Sequence, residues 1–154
     1  MNTDLEALGQ AIKRAQYRNH RTMDAALREA GVSLVQWDAL RAIDRMPRAS
    51  GHDLAVATFQ SDQAFGTLAL RLVDRGLIRR EAGQGRRIEH VLTEEGREAL
   101  DRGHRIAAAT LPELFAPLAE EDRSVLARIL ATLTGAESTG PELTSTDRPV
   151  TESR

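Results

Sequence analysis

Apolar residues recur every three or four positions through much of this chain, which is the spacing of one face of an α-helix. The pattern predicts a long first helix from Asp4 to about Ala30 that ends at Gly31. A second helix is predicted to begin at Ser33, and Pro47 prevents it from continuing. Aromatic residues make up only 3% of the chain. The core must therefore consist mainly of aliphatic side chains, which suits packed helices.

Two shorter helices are predicted next, over Ser50 to about Ala57 and over Ser61 to about Arg75, each with a serine at its N-cap. The apolar stripe of the later helix consists of Phe65, Leu68, Ala69, Leu72 and Val73. Its remaining face carries Gln63, Ala64, Gly66, Thr67, Leu70 and Arg71. A solvated helix face would be richer in Lys and Glu, so this face is expected to have a partner, unless part of it is buried.

After Gly76 the pattern changes to short strands, predicted at Leu77–Glu81 and Ile88–Leu92. The turn between them carries two glycines, which allow positive φ, and two arginines: Gly83-Gln84-Gly85-Arg86-Arg87. Helix, turn, helix and a basic hairpin is the layout of a winged helix-turn-helix. The predicted fold class is therefore mainly α with a small β-hairpin, and this layout implies DNA binding.

The apolar pattern after Leu92 predicts two further helices, one capped by Thr93 and one from Ala119 to about Leu133. Pro112 is expected to kink or break the first of them. The apolar stripes of the first, fifth and sixth helices exceed what one small winged domain can cover, which favours a helical dimer interface. From Gly135 onward the chain is rich in Ser, Thr, Pro and Glu and is expected to be disordered.

The formal net charge is −2, which at first argues against DNA binding. The segment from residue 135 onward carries four acids and two arginines, so the body of the chain is formally neutral. A neutral body can still bind DNA if its charges are segregated. There is no cysteine, which excludes disulfides, thiolate metal sites and thiol redox sensing. With no long apolar run and no signal-peptide pattern, a cytoplasmic protein without membrane contact is expected.

Enzymatic function has the weakest support in the sequence. The four histidines are scattered without metal-ligand spacing: His20, His52, His90 and His104. No nucleophile motif is present, and the glycine-rich turn lacks the Lys-Ser/Thr ending of a phosphate-binding loop. No catalytic residue, metal or cofactor is therefore expected.

Side chains suited to DNA are concentrated around the fourth helix and the hairpin. Gln can pair with adenine, Arg with guanine or phosphate, and Ala or Thr can contact a thymine methyl. A hairpin arginine could enter the minor groove, although the arginine pair alone could equally be a solvated turn. The predicted DNA-binding residues are Ser50, His52, Ser61, Gln63, Ala64, Thr67, Arg71, Arg86 and Arg87.

A second candidate site lies where the first two helices join. Aromatic and cationic side chains cluster there: Tyr17, His20, Trp37 and Arg41. They are predicted to line a ligand pocket. The alternative is that these residues only pack in the core and charge the surface, with Trp37 as an ordinary core residue.

From about Leu5 to Leu133 the chain resembles the MarR family of multiple-antibiotic-resistance regulators. The resemblance rests on an ordered set of segments: Leu34-Val35-Gln36-Trp37, Leu54-Ala55, Arg71-Leu72-Val73-Asp74-Arg75-Gly76-Leu77-Ile78, Arg79-Arg80, Arg86-Arg87 and Leu92-Thr93-Glu94-Glu95-Gly96. It implies a single domain over residues 1–134, with a winged helix-turn-helix at about 33–92. Dimerisation helices would lie at about 4–30 and 93–134, before a disordered tail at 135–154.

Family membership would imply a two-fold homodimer that binds a pseudo-palindromic operator in double-stranded DNA. Each fourth helix would lie in a major groove and each wing at a minor groove, with recognition helices roughly 34–36 Å apart. Binding usually represses a nearby gene, and a small aromatic or anionic ligand between the dimer helices and the winged domain commonly releases the DNA.

Two positions depart from the family pattern. Gly85 stands where an Asp often orients a wing arginine, and Thr67 stands where an Arg often contacts a base. The second departure shifts the expected base contacts to Gln63 and Arg71. Together with the near-neutral charge, the missing Arg at Thr67 leaves an alternative open, in which the chain is a protein-interaction module on a winged scaffold without specific DNA binding.

Overall fold

The computed structural model describes residues 3–136. Six α-helices and one antiparallel hairpin are present in that range, together with a turn of 3₁₀ helix at Arg28–Ala30. The elements are α1 (Leu5–Leu27), α2 (Leu34–Arg45), α3 (Gly51–Ala57), α4 (Asp62–Asp74), β1 (Ile78–Ala82), β2 (Ile88–Leu92), α5 (Glu94–Leu114) and α6 (Glu120–Thr134). The predicted winged helix-turn-helix fold is confirmed. The predicted disorder of the tail concerns residues that, from 137 onward, lie outside the described range.

Polar caps fix where the helices begin. Ser33 and Ser50 each form a full capping box, the first with Gln36 and the second with Asp53. Ser61 accepts a hydrogen bond from the backbone N–H of Ala64 at 3.1 Å. These local bonds satisfy backbone donors that a helix N-terminus leaves free, which is why the boundaries predicted from the sequence are correct here.

Three local predictions need correction. Leu77 is not a strand residue, because its N–H bonds to the Leu72 carbonyl and so completes the C-terminal cap of α4. Pro112 does not break its helix at that point, since α5 includes it and continues to Leu114. Of the two turn glycines only Gly85 has positive φ, at 69°. Gly83 instead leaves room for the side chain of Glu89.

The chain divides into two compact units between Leu114 and Phe115. In the first unit α1 and α2 pack on α5, and α3, α4 and the hairpin pack around α2. In the second unit Arg123 of α6 donates to the Phe115 carbonyl at 3.2 Å. Apolar side chains of α6 remain exposed, namely Val125, Leu126, Ile129, Leu130 and Leu133.

Trp37 lies at the centre of the first unit. Only 5% of its surface is exposed, and its indole Nε1 donates to the Leu100 carbonyl at 3.2 Å. Gly103, one turn further along α5, is buried directly against the indole ring. A side chain at this position would overlap the indole nitrogen. The glycine that lowers helix propensity here therefore makes room for the tryptophan.

We expect Gly103→Ala to displace the Trp37 indole and to lower the free energy of unfolding by roughly 1–3 kcal/mol, the cost of an overpacked core. Denaturant unfolding monitored by Trp37 fluorescence measures both effects. Gly66→Ala is the matched control, because a Cβ at this exposed helical glycine meets nothing within 4 Å. In the control the free energy of unfolding should rise by about 0.5–1 kcal/mol, because glycine is less favourable than alanine inside a helix. Equal effects of the two substitutions would contradict the packing role of Gly103.

Candidate nucleic-acid interface

The outward face of α4 is defined by the face that the helix buries. Phe65, Ala69 and Leu72 are buried in the core. Residues on the other side are exposed, and they are the ones predicted from the sequence: Gln63, Ala64, Gly66, Thr67, Leu70 and Arg71. Since Ala, Gly and Thr are small, another surface could approach the helix backbone closely.

A groove of about 510 Å³ runs between this face and the start of α2. Ser61, Gln63, Ala64, Thr67 and Arg71 all line it. The opposite wall of the groove is formed by Ser33, Val35 and Gln36 at the start of α2. These three residues were not predicted to belong to the site. Five of the predicted DNA-binding residues therefore share one surface.

His52 and Asp62 connect α3 to the first turn of α4. The imidazole Nδ1 lies 2.9 Å from a carboxylate oxygen of Asp62. This hydrogen bond, aided by the negative charge of Asp62, raises the pKa of the exposed His52 side chain. His52 can therefore carry a positive charge beside the N-terminus of α4 at mildly acidic pH. Ser50 lies just before it and donates to Asp53 at 2.6 Å, which lowers the pKa of Asp53.

The hairpin places arginines on the other side of α4. Its strands pair from Ile78↔Leu92 to Ala82↔Ile88, and Gly83 N–H donates to the Arg87 carbonyl at 2.9 Å. A crevice of about 300 Å³ lies between the hairpin and α4. It is lined by Ser50, Asp62, Gly66, Arg80, Arg86, Arg87 and His90, among others. Arg80 was not among the predicted site residues, although the alternation of strand residues could have placed it on this face.

His90 lies inside this crevice. Its ring packs edge-on against Phe65, with ring centroids 5.8 Å apart. Burial, with a smaller effect from the positive charge of Arg80, lowers the pKa of His90. The neutral imidazole therefore forms part of the packing contact between the hairpin and α4.

Arg75 at the end of α4 is a positioning residue that the sequence pattern does not reveal. Its guanidinium donates to the Gly31 carbonyl and, at 2.9 Å, to Oε1 of Gln36. Gln36 also accepts from the Ser33 N–H in the capping box of α2. One arginine thus joins the end of α4 to Gly31, which follows the 3₁₀ turn after α1, and to the first turn of α2.

The structure brings together most of the predicted ligand residues. Arg41 lies over the Trp37 ring, 4.6 Å from its centroid, and donates to Asp38 at 3.2 Å. Burial raises the pKa of Asp38, while Arg41 and His20 oppose this effect through their charge. Asp38 belongs to this cluster but was not predicted.

Tyr17 is less closely associated with that cluster. It is exposed and pairs with Arg21, whose guanidinium carbon lies 5.6 Å from the ring centroid. His104 was not predicted: its ring meets Trp37 edge-on at 5.3 Å from centroid to centroid.

Within residues 3–136, no group of three or more His, Cys, Asp and Glu side chains is arranged to hold a metal ion. The helices of that range also lack any segment that is long and apolar enough to cross a membrane.

Comparison with known proteins shows a family resemblance. The MarR family model matches residues 30–88, from the last residue of the 3₁₀ turn to the first residue of β2. Over this segment, which contains most of the winged helix-turn-helix, the chain is similar to the MarR family.

Transcriptional regulators are among the proteins that the chain resembles in sequence and structure. It is 29% identical over 113 residues to the HTH-type transcriptional repressor Rv2887 of Mycobacterium tuberculosis, covering 70% of this chain and 81% of that protein. Rv2887 has been solved with salicylic acid (TM-score 0.68, 27% identity, 82% of this chain and 95% of that one). It has also been solved with DNA (TM-score 0.67, 25% identity, 82% and 96% coverage). The repressor CouR bound to p-coumaroyl-CoA gives a TM-score of 0.76 at 26% identity, covering 82% of this chain and 91% of that one.

We expect Asp62→Asn to lower the pKa of His52, because the hydrogen bond to the carboxylate is the main cause of its elevation. An NMR titration of the His52 ring measures this shift. Since the folded pKa lies above the ordinary value, the stabilisation from this pair is present at low pH and is lost as pH rises through the folded pKa.

Asp74→Asn is the control, because Asp74 lies in the last turn of the same helix. It should leave the His52 titration unchanged. A titration that is identical in wild type and Asp62→Asn would contradict the pairing.

Proposed function

We propose that this chain is a DNA-binding transcriptional repressor that acts as a homodimer and is released from its operator by a small aromatic or anionic ligand. Because its operator would lie in chromosomal DNA, the proposed place of action is the cytoplasm. The observation that carries the proposal is the exposed face of α4, whose small and polar residues lie between a groove on one side and an arginine-lined crevice on the other.

Residues on α4 would read the base edges in the major groove. Gln63 can form paired hydrogen bonds with adenine, and Arg71 can do so with guanine or bind phosphate. Ala64 and Thr67 would contact thymine methyl groups. Thr67 already donates its hydroxyl to the Gln63 carbonyl at 3.1 Å, so its methyl group is the part left to face the DNA.

The hairpin would act as the wing. Arg86 and Arg87 are exposed and form none of the ion pairs found within residues 3–136. They are therefore available to phosphates or to the minor groove. His52, Ser50 and Ser61 would supply further phosphate contacts beside the two helix N-termini. Binding of an MarR relative to DNA supports this assignment.

A second copy of the chain would cover the exposed apolar residues of the terminal helices. Leu5, Leu8 and Ile12 of α1 are exposed, and α6 buries none of its residues. Apolar surface of this extent is typical of an interface between subunits. A symmetric pair of subunits would also present two α4 helices to a palindromic site.

The cluster around Trp37 is the proposed ligand pocket. Arg41 Nε is buried there without a hydrogen-bond partner in the described part of the chain. The carboxylate of an aromatic acid would accept a hydrogen bond from this nitrogen, and the aromatic ring of the same ligand would pack near Trp37. The MarR relative that binds salicylic acid and the CouR complex support an aromatic or acyl-linked effector. A ligand that prefers a dimer geometry poorly matched to DNA would shift the population away from the DNA-bound state.

Removing both wing arginines tests the DNA-binding proposal. The operator is first selected from random DNA with the wild-type protein. We expect the double variant Arg86→Ala, Arg87→Ala to bind this operator roughly tenfold more weakly, because phosphate contacts release counterions. The salt dependence of binding should become shallower by about one unit in log K against log salt for each phosphate that is no longer bound. Fluorescence anisotropy at several salt concentrations measures both.

Arg79→Ala is the matched control. It removes one arginine from the same hairpin, but Arg79 precedes Arg80 in the strand and therefore points to the opposite face, where it pairs with Glu81 at 3.2 Å. The salt dependence of DNA binding by Arg79→Ala should match that of the wild type. A wing variant that binds like the wild type would refute the wing mechanism. Failure of the wild type to bind any selected sequence would favour a protein-interaction module instead.

The ligand pocket is tested with a panel of aromatic acids that includes salicylate. We expect Trp37 fluorescence to change and the melting temperature to rise on binding. Arg41→Gln should weaken binding, whereas Asp38→Asn should strengthen it by removing a carboxylate that competes for Arg41. Arg45→Gln, one turn further along α2, serves as the control and should have little effect. If no acid alters fluorescence or melting, the pocket assignment is wrong.

A further inference from the structure

Phe59, in the turn between α3 and α4, occupies a position that is unfavourable for it in two respects. Its side chain is 99% exposed. Its φ is 56°, in the left-handed region that a residue with a β-carbon rarely adopts. Neither feature stabilises the folded chain.

The hydrogen bonds of the turn show why the backbone requires this conformation. Phe59 N–H donates to the Val56 carbonyl at 3.1 Å, and Gln60 N–H donates to the Ala55 carbonyl at 2.8 Å. This is the helix-ending motif in which glycine is the preferred residue at the position that Phe59 holds. A glycine there would satisfy the same bonds without the strain and without the exposed ring.

The location of Phe59 indicates what could cover the ring. Gln60 and Ser61 follow it directly, and both line the groove beside α4 with Gln63 and Arg71. In a helix-turn-helix the N-terminal residues of the recognition helix contact the base edges. A side chain projecting from the turn just before that helix therefore meets the same duplex. Val56, one turn back on α3, is 61% exposed and extends the apolar surface.

We propose that Phe59 is a DNA-contacting residue that packs its ring on apolar groups of the operator duplex beside the half-site read by α4. A duplex offers two such groups there, the thymine methyl in the major groove and the deoxyribose of the backbone. The inference rests on the proposed function, since it requires that α4 binds DNA.

The test measures the melting temperature and the affinity for DNA, which the same substitution is expected to change in opposite directions. Phe59→Gly should raise the melting temperature, because it removes the left-handed strain and the exposed ring. The same variant should bind the selected operator at least about threefold more weakly, since the ring no longer packs on the duplex. Phe59→Asn, which tolerates positive φ, should behave in the same way. Phe59→Leu should retain most of the affinity.

Operator DNA with uracil in place of thymine distinguishes the two groups that the ring could contact. Uracil also removes the methyl groups proposed to contact Ala64 and Thr67, so the comparison is between the two proteins. If the ring contacts a thymine methyl, uracil weakens binding of the wild type more than binding of Phe59→Gly. If uracil weakens both to the same extent while Phe59→Gly binds thymine-containing operator weakly, the ring packs on deoxyribose.

Wild-type affinity retained by Phe59→Gly and Phe59→Asn would overturn the inference and leave the proposed function intact. A wild-type protein that binds no selected DNA would overturn both. Fluorescence anisotropy under the conditions used for the wing variants gives the affinities, and thermal unfolding gives the melting temperatures.

Discussion

The one-sided burial of α4 is the constraint on which the rest of the molecule depends. Phe65 and Leu72 are almost fully buried and lie two turns apart, so they fix the rotation of the helix about its axis. That rotation determines which residues face outward, and with them the groove and the crevice on either side. A helix rotated by one residue would bury Gly66 and expose Phe65 at a large cost in apolar burial. Core packing therefore sets the geometry of the surface that is proposed to meet DNA.

Both ends of α4 are held by groups from other elements. At its start, Asp62 pairs with His52 of α3, and at its end Arg75 binds Gly31 and Gln36. Gln36 is the residue directly before Trp37, against which Arg41 packs. A ligand that displaced Arg41 or Trp37 would thus act on the helical turn that holds Arg75. Through this connection a ligand at the proposed site around Trp37 would bias α4, because a shift of α2 changes the anchor of α4.

The parts of the fold that depend on neighbouring residues could be predicted from the sequence. Serine caps and the apolar stripe of α4 act within a few residues, and so the starts of α2, α3 and α4 and the exposed face of α4 were predicted correctly. The end of the first helix was predicted at about Ala30, whereas α1 ends at Leu27 and a 3₁₀ turn follows. The parts that depend on distant residues could not. Arg75 meets a carbonyl 44 residues away, and Gly103 is required by the ring of Trp37 in another helix. Asp38 is an ordinary helical acid in the sequence, and only the packing of α1 against α2 shows that it shares a partly buried cluster.

The segregation of charge explains how a chain with a net charge of −2 can present a surface for DNA. Several acids outside the α4 surface are neutralised by nearby arginines, as in the pairs Arg28–Asp24, Arg97–Asp44 and Arg102–Glu98. The arginines around α4, by contrast, occur in none of the ion pairs within residues 3–136: Arg71, Arg80, Arg86 and Arg87. Screening limits the reach of distant acids to about 10 Å at ordinary salt concentration, so local charge matters more than the total. The charge that a duplex would meet at this surface is therefore set locally, by these guanidinium groups and by the Asp62 carboxylate that lines the same crevice.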